Sequence, residues 1–147
     1  MKESQTHRIE SAAYGSLQVS QEQIYDFSIG LVGLAHIHTY ALLPYSDTDF
    51  FILHSLTDDL SFILIPAHRI KEQYAFEMED HLLELLESKA EDIMPFLIVN
   101  IVDQVPYKNL KAPILLAPSS QKGCQFVLND SSYAIRTPLI LREDDSC

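Results

Sequence analysis

No apolar run in this chain approaches the roughly 18 residues that a membrane-spanning helix requires. The first ten residues, MKESQTHRIE, are polar and lack the apolar stretch of a secretory signal. Both absences point to a cytosolic protein with no membrane partner. Basic side chains are scarce, 10 against 21 acidic ones, for a formal net charge of −11. A direct nucleic-acid binder normally presents a basic face, so this balance argues against one and suits a basic partner instead. Two cysteines, Cys124 and Cys147, are too few for a disulfide framework, and one is the last residue. Only four glycines are present. Gly30 and Gly33 lie three apart, but no third Gly, Lys or Ser/Thr follows where a phosphate-cradling loop needs it. They read as a backbone bend. No serine stands in a Gly-x-Ser-x-Gly context, so no nucleophile elbow is present.

What the chain does have is strands. At 147 residues, 47% hydrophobic and 21% charged, it has the size and balance of one ordinary globular domain. Asp49 to Pro66 organises the rest: two runs rich in Phe, Ile and Leu flank the polar pair Asp58-Asp59, and Pro66 ends the second run. This predicts a β-hairpin. Alternation sets Phe50, Ile52 and His54 on one face and Phe51, Leu53 and Ser55 on the other, both largely apolar, so the strand is expected to be central.

Taken in order, Thr6 to Val19 predicts a hairpin turning at Tyr14-Gly15-Ser16. Ile24 to Phe27 and Thr39 to Leu43 follow as strands. Ala67 to Lys71 suggests a short helical piece and Tyr74 to Met78 an extended one. Asp80 to Glu87 is the one convincing helix, with Leu82, Leu83, Leu85 and Leu86 at helical spacing and Asp80 placed to cap it. Lys71 to Asp92 holds eight acidic residues against two lysines, −6 of the −11. Met94 to Val105 reads as one long strand turned at Pro106 to Lys111. Ala112 to Ala117 and Gln125 to Leu128 read as a last pair. About ten short strands and one short amphipathic helix predict a single all-β, mainly antiparallel domain over residues 1–140, a closed or nearly closed barrel. Residues 141–147 are expected to fray as an acidic tail.

Few groups could carry chemistry. His36 and His38 would share one face if on a strand, which is how some barrel metal sites begin, but nothing fixes a third ligand. Cys124, ahead of the apolar QFVL, reads as a small core residue. No metal, cofactor or catalytic constellation is expected.

Three stretches resemble the flagellar assembly factor family, FliW. Phe27-Ser28-Ile29-Gly30-Leu31-Val32-Gly33-Leu34 lies where that family has a Phe-x-x-Gly-hydrophobic-Pro-Gly-Phe bend, with Val32 in place of proline and Leu34 in place of phenylalanine. Asn109-Leu110-Lys111-Ala112-Pro113-Ile114 resembles its Asn-Leu-x-Ala-Pro-hydrophobic motif. Lys122 to Leu128, followed by Tyr133 and Arg136, resembles its C-terminal pattern. Phe50 to Leu56 looks like the family's aromatic strand, with His54 where glutamine is common. The resemblance implies a non-enzymatic, β-barrel-like protein, a monomer when free, that binds flagellin. It also implies binding to the carbon storage regulator CsrA, an RNA-binding translational repressor. When free flagellin is scarce, such a protein sequesters the repressor and lets flagellin be translated. On this footing Asn109, Leu110, Lys111 and Pro113 are expected to bind a partner, and Glu77, Glu79, Glu84 and Glu87 to offer it an acidic face. A purely structural reading stands beside the first of these: Asn109 can cap a turn, and Pro113 fits only an edge or first strand position. The alternatives from other classes are a small barrel enzyme or ligand carrier using the His36/His38 face, and a structural subunit of a larger assembly.

Overall fold

A computed structural model describes residues 6–129 and 132–142. It contains eleven strands: β1 Thr6–Ser11, β2 Gly15–Ser20, β3 Ile24–Asp26, β4 Thr39–Pro44, β5 Phe51–Ser55, β6 Ser61–Pro66, β7 Met94–Val102, β8 Val105–Lys108, β9 Ile114–Ala117, β10 Lys122–Gln125 and β11 Thr137–Pro138. One α-helix, α1, spans Asp80–Leu86. Nine strands form one sheet in the order β11-β8-β7-β6-β5-β4-β3-β10-β9, and β7 also pairs with β9. That last pairing closes a seven-stranded barrel. Every pairing is antiparallel except β3 with β10, which meet in parallel at Asp26 and Lys122. The predicted core hairpin is β5–β6, paired from Phe51↔Leu64 to His54↔Ser61, and β5 is the middle strand of the nine.

The two apolar faces of the strands have separate causes. Alternate residues point into the barrel, where Tyr25, Phe27, Tyr40, Leu53, Leu64, Phe96, Ile114 and Leu116 form the interior core. Closure accounts for that face alone. The outer face is covered in three places by chain from outside the barrel. The β1–β2 hairpin lays Ile9 and Val19 on Ala41 and Leu43 of β4. Helix α1 lays Leu82 and Leu86 on Leu115, Ala117 and Cys124 of β9 and β10. A third cover puts Ile70, Leu110, Tyr133, Leu139 and Leu141 over Ile65, Leu97 and Val99 of β6 and β7. There the fully buried Lys108 ties the pieces together. Its Nζ donates to the carbonyl of Pro138 at 2.6 Å and lies 3.0 Å from the Glu72 carboxylate. Burial alone would raise the Glu72 carboxyl, but the Lys108 hydrogen bond and charge outweigh it and hold the group below its ordinary value.

Several local expectations are corrected. The first hairpin turns at Ala12 to Tyr14, two residues early, with Ser11 opposite Gly15 and Gly15 at φ +76°. The Ser11 hydroxyl accepts the Tyr14 amide, and this stabilises the earlier turn. The expected strand from Met94 to Val105 is two strands. Val102 pairs with Val105, and Asp103 and Gln104 make the tight turn at φ +50° and +68°. Pro106 is therefore in β8, opposite Ile101. Tyr74 to Met78 forms no regular structure. Asp80 is the first helical residue, and the cap position belongs to Glu79, whose side chain makes no capping hydrogen bond. The last pair is β9–β10, and Phe126 and Leu128 leave the sheet to bond the carbonyls of Pro113 and Lys111. Leu141 bridges Ile70, and the Arg142 amide bonds the Arg69 carbonyl. The rest of the expected tail, residues 143–147 with Cys147, lies outside the described residues. Among the described residues no helix is long and apolar enough to cross a membrane.

Candidate partner-binding site

The Gly30–Gly33 bend caps one end of the barrel. Its backbone turns twice through positive φ, +69° at Gly30 and +80° at Gly33. Gly30 is packed so closely that a Cβ there would lie 2.7 Å from the Cα of Ala35, so no larger residue fits. Leu31 plugs the interior, and the Leu31↔Leu34 bridge closes the loop. Gly123 on β10 serves the same end differently. A Cβ on it would stand 2.6 Å from the ring of Phe27, so its bareness makes room for that fully buried ring.

Asn109 shapes the chain between β8 and β9. Its side-chain oxygen accepts the amides of Lys111 at 2.9 Å and Ala112 at 3.2 Å, an Asx turn that delivers Pro113 to the position before β9. The turn-capping reading of Asn109 and Pro113 thus describes what they do. Leu110 and Pro113 are buried, while Asn109 and Lys111 are half-buried. Gln125, the last residue of β10, joins the two regions. Its oxygen accepts the Val32 amide at 2.9 Å, and its amide nitrogen donates to the Ala112 carbonyl at 3.3 Å. Losing two hydrogen bonds at the turn, Asn109→Ala is expected to destabilise the fold by about 1–2 kcal/mol. A chemical-denaturation midpoint equal to that of the wild type would contradict the capping role.

Around this joint lies a pocket of about 380 Å³ lined by Leu31, Val32, Leu34, Phe62, Ile98, Asn109, Lys111, Gln125, Val127 and Ile135 among others. Val32, Val127 and Ile135 are 65%, 45% and 66% exposed. Three large apolar side chains are thus left in water around one opening. The three motif stretches, distant in sequence, therefore meet here, and their glycines, asparagine and glutamine frame a mouth whose rim is apolar.

A FliW family model matches residues 8–139 of the chain. The chain belongs to the FliW family. Among its relatives, a flagellar assembly factor FliW from Caldicellulosiruptor saccharolyticus is 33% identical over 132 residues, 87% of each chain. One from Bacillus pumilus is 29% identical over 144 residues, 95% of this chain and 99% of that one. A crystal structure of the flagellar assembly factor FliW superposes with a TM-score of 0.82 at 26% identity, covering 91% of this chain and 97% of the other. The FliW barrel with one helix is thus this chain's fold.

The other expected residues fall elsewhere on the FliW barrel. Glu77, Glu79, Glu84 and Glu87 are all exposed, on α1 and the segment before it, along the flank over β9 and β10. Glu79 meets His81 at 3.3 Å, and Glu87, at φ +50° after the helix, lies 3.6 Å from Lys122. The acidic flank meets β10 at Lys122 and the apolar mouth meets it at Gln125, three residues on, so the two surfaces are neighbours along one strand. His36 and His38 do not lie on a strand. They end the bend ahead of β4, and His38 Nδ1 is 2.9 Å from the Phe27 carbonyl oxygen. Among the described residues no three His, Cys, Asp or Glu side chains gather. Cys124 is 1% exposed under α1, and burial pushes its thiol up to about 11, as a core residue would be. Sequence reasoning missed Val127 and Ile135. Val127 is exposed where residues 126–128 leave the sheet, and no local pattern in the sequence signals that departure.

Proposed function

We propose that this flagellar assembly factor works by protein–protein binding without catalysis, taking flagellin and the repressor CsrA as partners in the cytoplasm. By alternating between them it couples flagellin translation to flagellin use. The observation that carries the reading is the convergence of the three family stretches on one apolar-rimmed mouth. Asn109, Lys111 and Gln125 supply polar groups at its edge, and Leu110 and Pro113 hold the chain beneath it. Flagellin is assigned to this mouth, where Val32, Val127 and Ile135 can be desolvated by apolar side chains of the partner. The acidic flank at Glu77, Glu79, Glu84 and Glu87 suits CsrA, whose RNA-binding role calls for positive charge.

The test is calorimetric titration of each partner into wild type and a Val127→Glu/Ile135→Glu variant. Both side chains are exposed, so the variant should keep its melting temperature. Flagellin affinity is expected to fall about tenfold or more, since a carboxylate must then be desolvated in an apolar contact. Unchanged flagellin affinity would remove the mouth from the interface, and no binding of either partner by wild type would refute the reading.

A further inference from the structure

The barrel's other end is left open, and its chemistry is unlike the rest of the surface. A groove of about 1070 Å³ lies there, where β4 and β6 end and β5 and β7 begin. At the first end the bend plugs the interior with Leu31. Here the interior residues Leu42, Phe51 and Phe96 line the groove themselves. Phe51 stands edge-on to Phe96 at 5.5 Å and is only half-buried, so the floor is a partly wet aromatic surface.

The rim carries two arginines and a histidine, although the chain as a whole carries −11. His68, Arg69 and Arg142 face the groove, with Asp49 as its one acidic lining residue. Asp49 is already engaged: its two oxygens take Arg69 Nε at 3.2 Å and a terminal nitrogen at 3.3 Å. Arg142 is anchored by Nε to the Ile70 carbonyl at 3.3 Å, and among the described residues its two terminal nitrogens have no acidic partner. The exposed imidazole of His68 likewise has no partner among them.

We propose that this groove binds a peptide segment in which apolar side chains are followed by a carboxylate. At about 1070 Å³ the groove is at or beyond the upper end of small-molecule pockets, roughly 300–1000 Å³, which suits a peptide better than a small ligand. The aromatic floor takes the apolar side chains. Arg142, pre-anchored by its own backbone contact, offers its two terminal nitrogens to a carboxylate in the paired geometry that guanidinium favours. Nucleic acid does not suit it, because a polyanion must approach many charges of the net-acidic surface, whereas one carboxylate is recognised within a screening length of about 8–10 Å. The site lies away from the apolar mouth and does not depend on the partners assigned above.

The experiment is fluorescence anisotropy of the whole chain with a labelled six-residue peptide, Gly-Leu-Phe-Asp-Asp-Gly, capped at both ends. Its controls are the same peptide with Asn in place of Asp, and a labelled oligouridine. The acidic peptide should bind about tenfold tighter than its amide twin at low salt, and the gap should narrow as salt rises. His68→Glu with Arg142→Glu should erase the preference, and Arg142→Lys should keep part of it. Equal binding of the two peptides by wild type overturns the proposal even if the double variant melts early. So does oligouridine binding as tightly, or a double variant that melts normally and retains the preference. A dimer in sedimentation that the double variant dissociates would also overturn it, giving the groove to a second copy.

Discussion

Leu53→Ala is expected to cost about 2–5 kcal/mol of stability, the usual range for emptying a fully buried leucine site. Leu53 sits on the middle strand of the sheet with no exposed surface, among Tyr40, Leu64 and Phe96 in the barrel interior. Seven strands surround that interior, so the wall cannot collapse onto the vacancy from one side. This places Leu53 toward the upper part of the range. Phe51→Ala acts at the half-buried groove floor, where water already reaches the ring, and should cost less. Urea midpoints at constant m-value measure both. Equal losses would mean that the groove end is as tightly sealed as the interior, and no shift for Leu53→Ala would contradict a barrel packed around β5.

The second large effect is kinetic. Changing Glu77, Glu79, Glu84 and Glu87 together to Lys should slow association with CsrA about tenfold or more and flatten its salt dependence. Each exchange adds two charges, so residues 71–92 move from −6 to +2. Singly, exposed pairs such as Glu79–His81 and Glu87–Lys122 contribute little. Their sum is a field, and a field acts on encounter rather than on the settled complex. Flagellin binding should change less, because its assigned contact is apolar and lies beyond this flank. Stopped-flow association of both partners across a salt series separates the cases. Equal losses would mean that α1 itself is damaged, and an unchanged CsrA rate would move the acidic contact elsewhere.

How much of this was legible in the chain varies with how local the cause is. The β5–β6 hairpin was readable because Asp58-Asp59 and Pro66 punctuate two apolar runs. The helix was readable because its leucines repeat with the helical period, and Leu82 and Leu86 are the ones that bury. The Asp103-Gln104 turn was not, because both residues adopt positive φ without a glycine to announce it. That both faces of the strands are covered was readable from their apolar alternation, but what covers the outer face was not, since periodicity says that a face is buried without saying by what. The motif residues were found, but their work is to build the mouth: Gly123 clears space for Phe27, and Asn109 folds the turn. The side chains they leave exposed at its opening, Val32, Val127 and Ile135, are less conspicuous in the sequence.

The parallel meeting of Asp26 with Lys122 also governs when the barrel can form. The Gln121 side chain donates to the carbonyls of Gln21 and Ile24, 100 and 97 residues away, at the same seam. A growing chain cannot make these contacts until β10 has left the ribosome. Until then the β3 edge has no strand to pair with on its β10 side, and the barrel cannot close. Contacts this distant in sequence fold slowly, in milliseconds to seconds rather than microseconds. Translation speed and chaperone supply therefore bear on the yield of this protein more heavily than its modest size suggests.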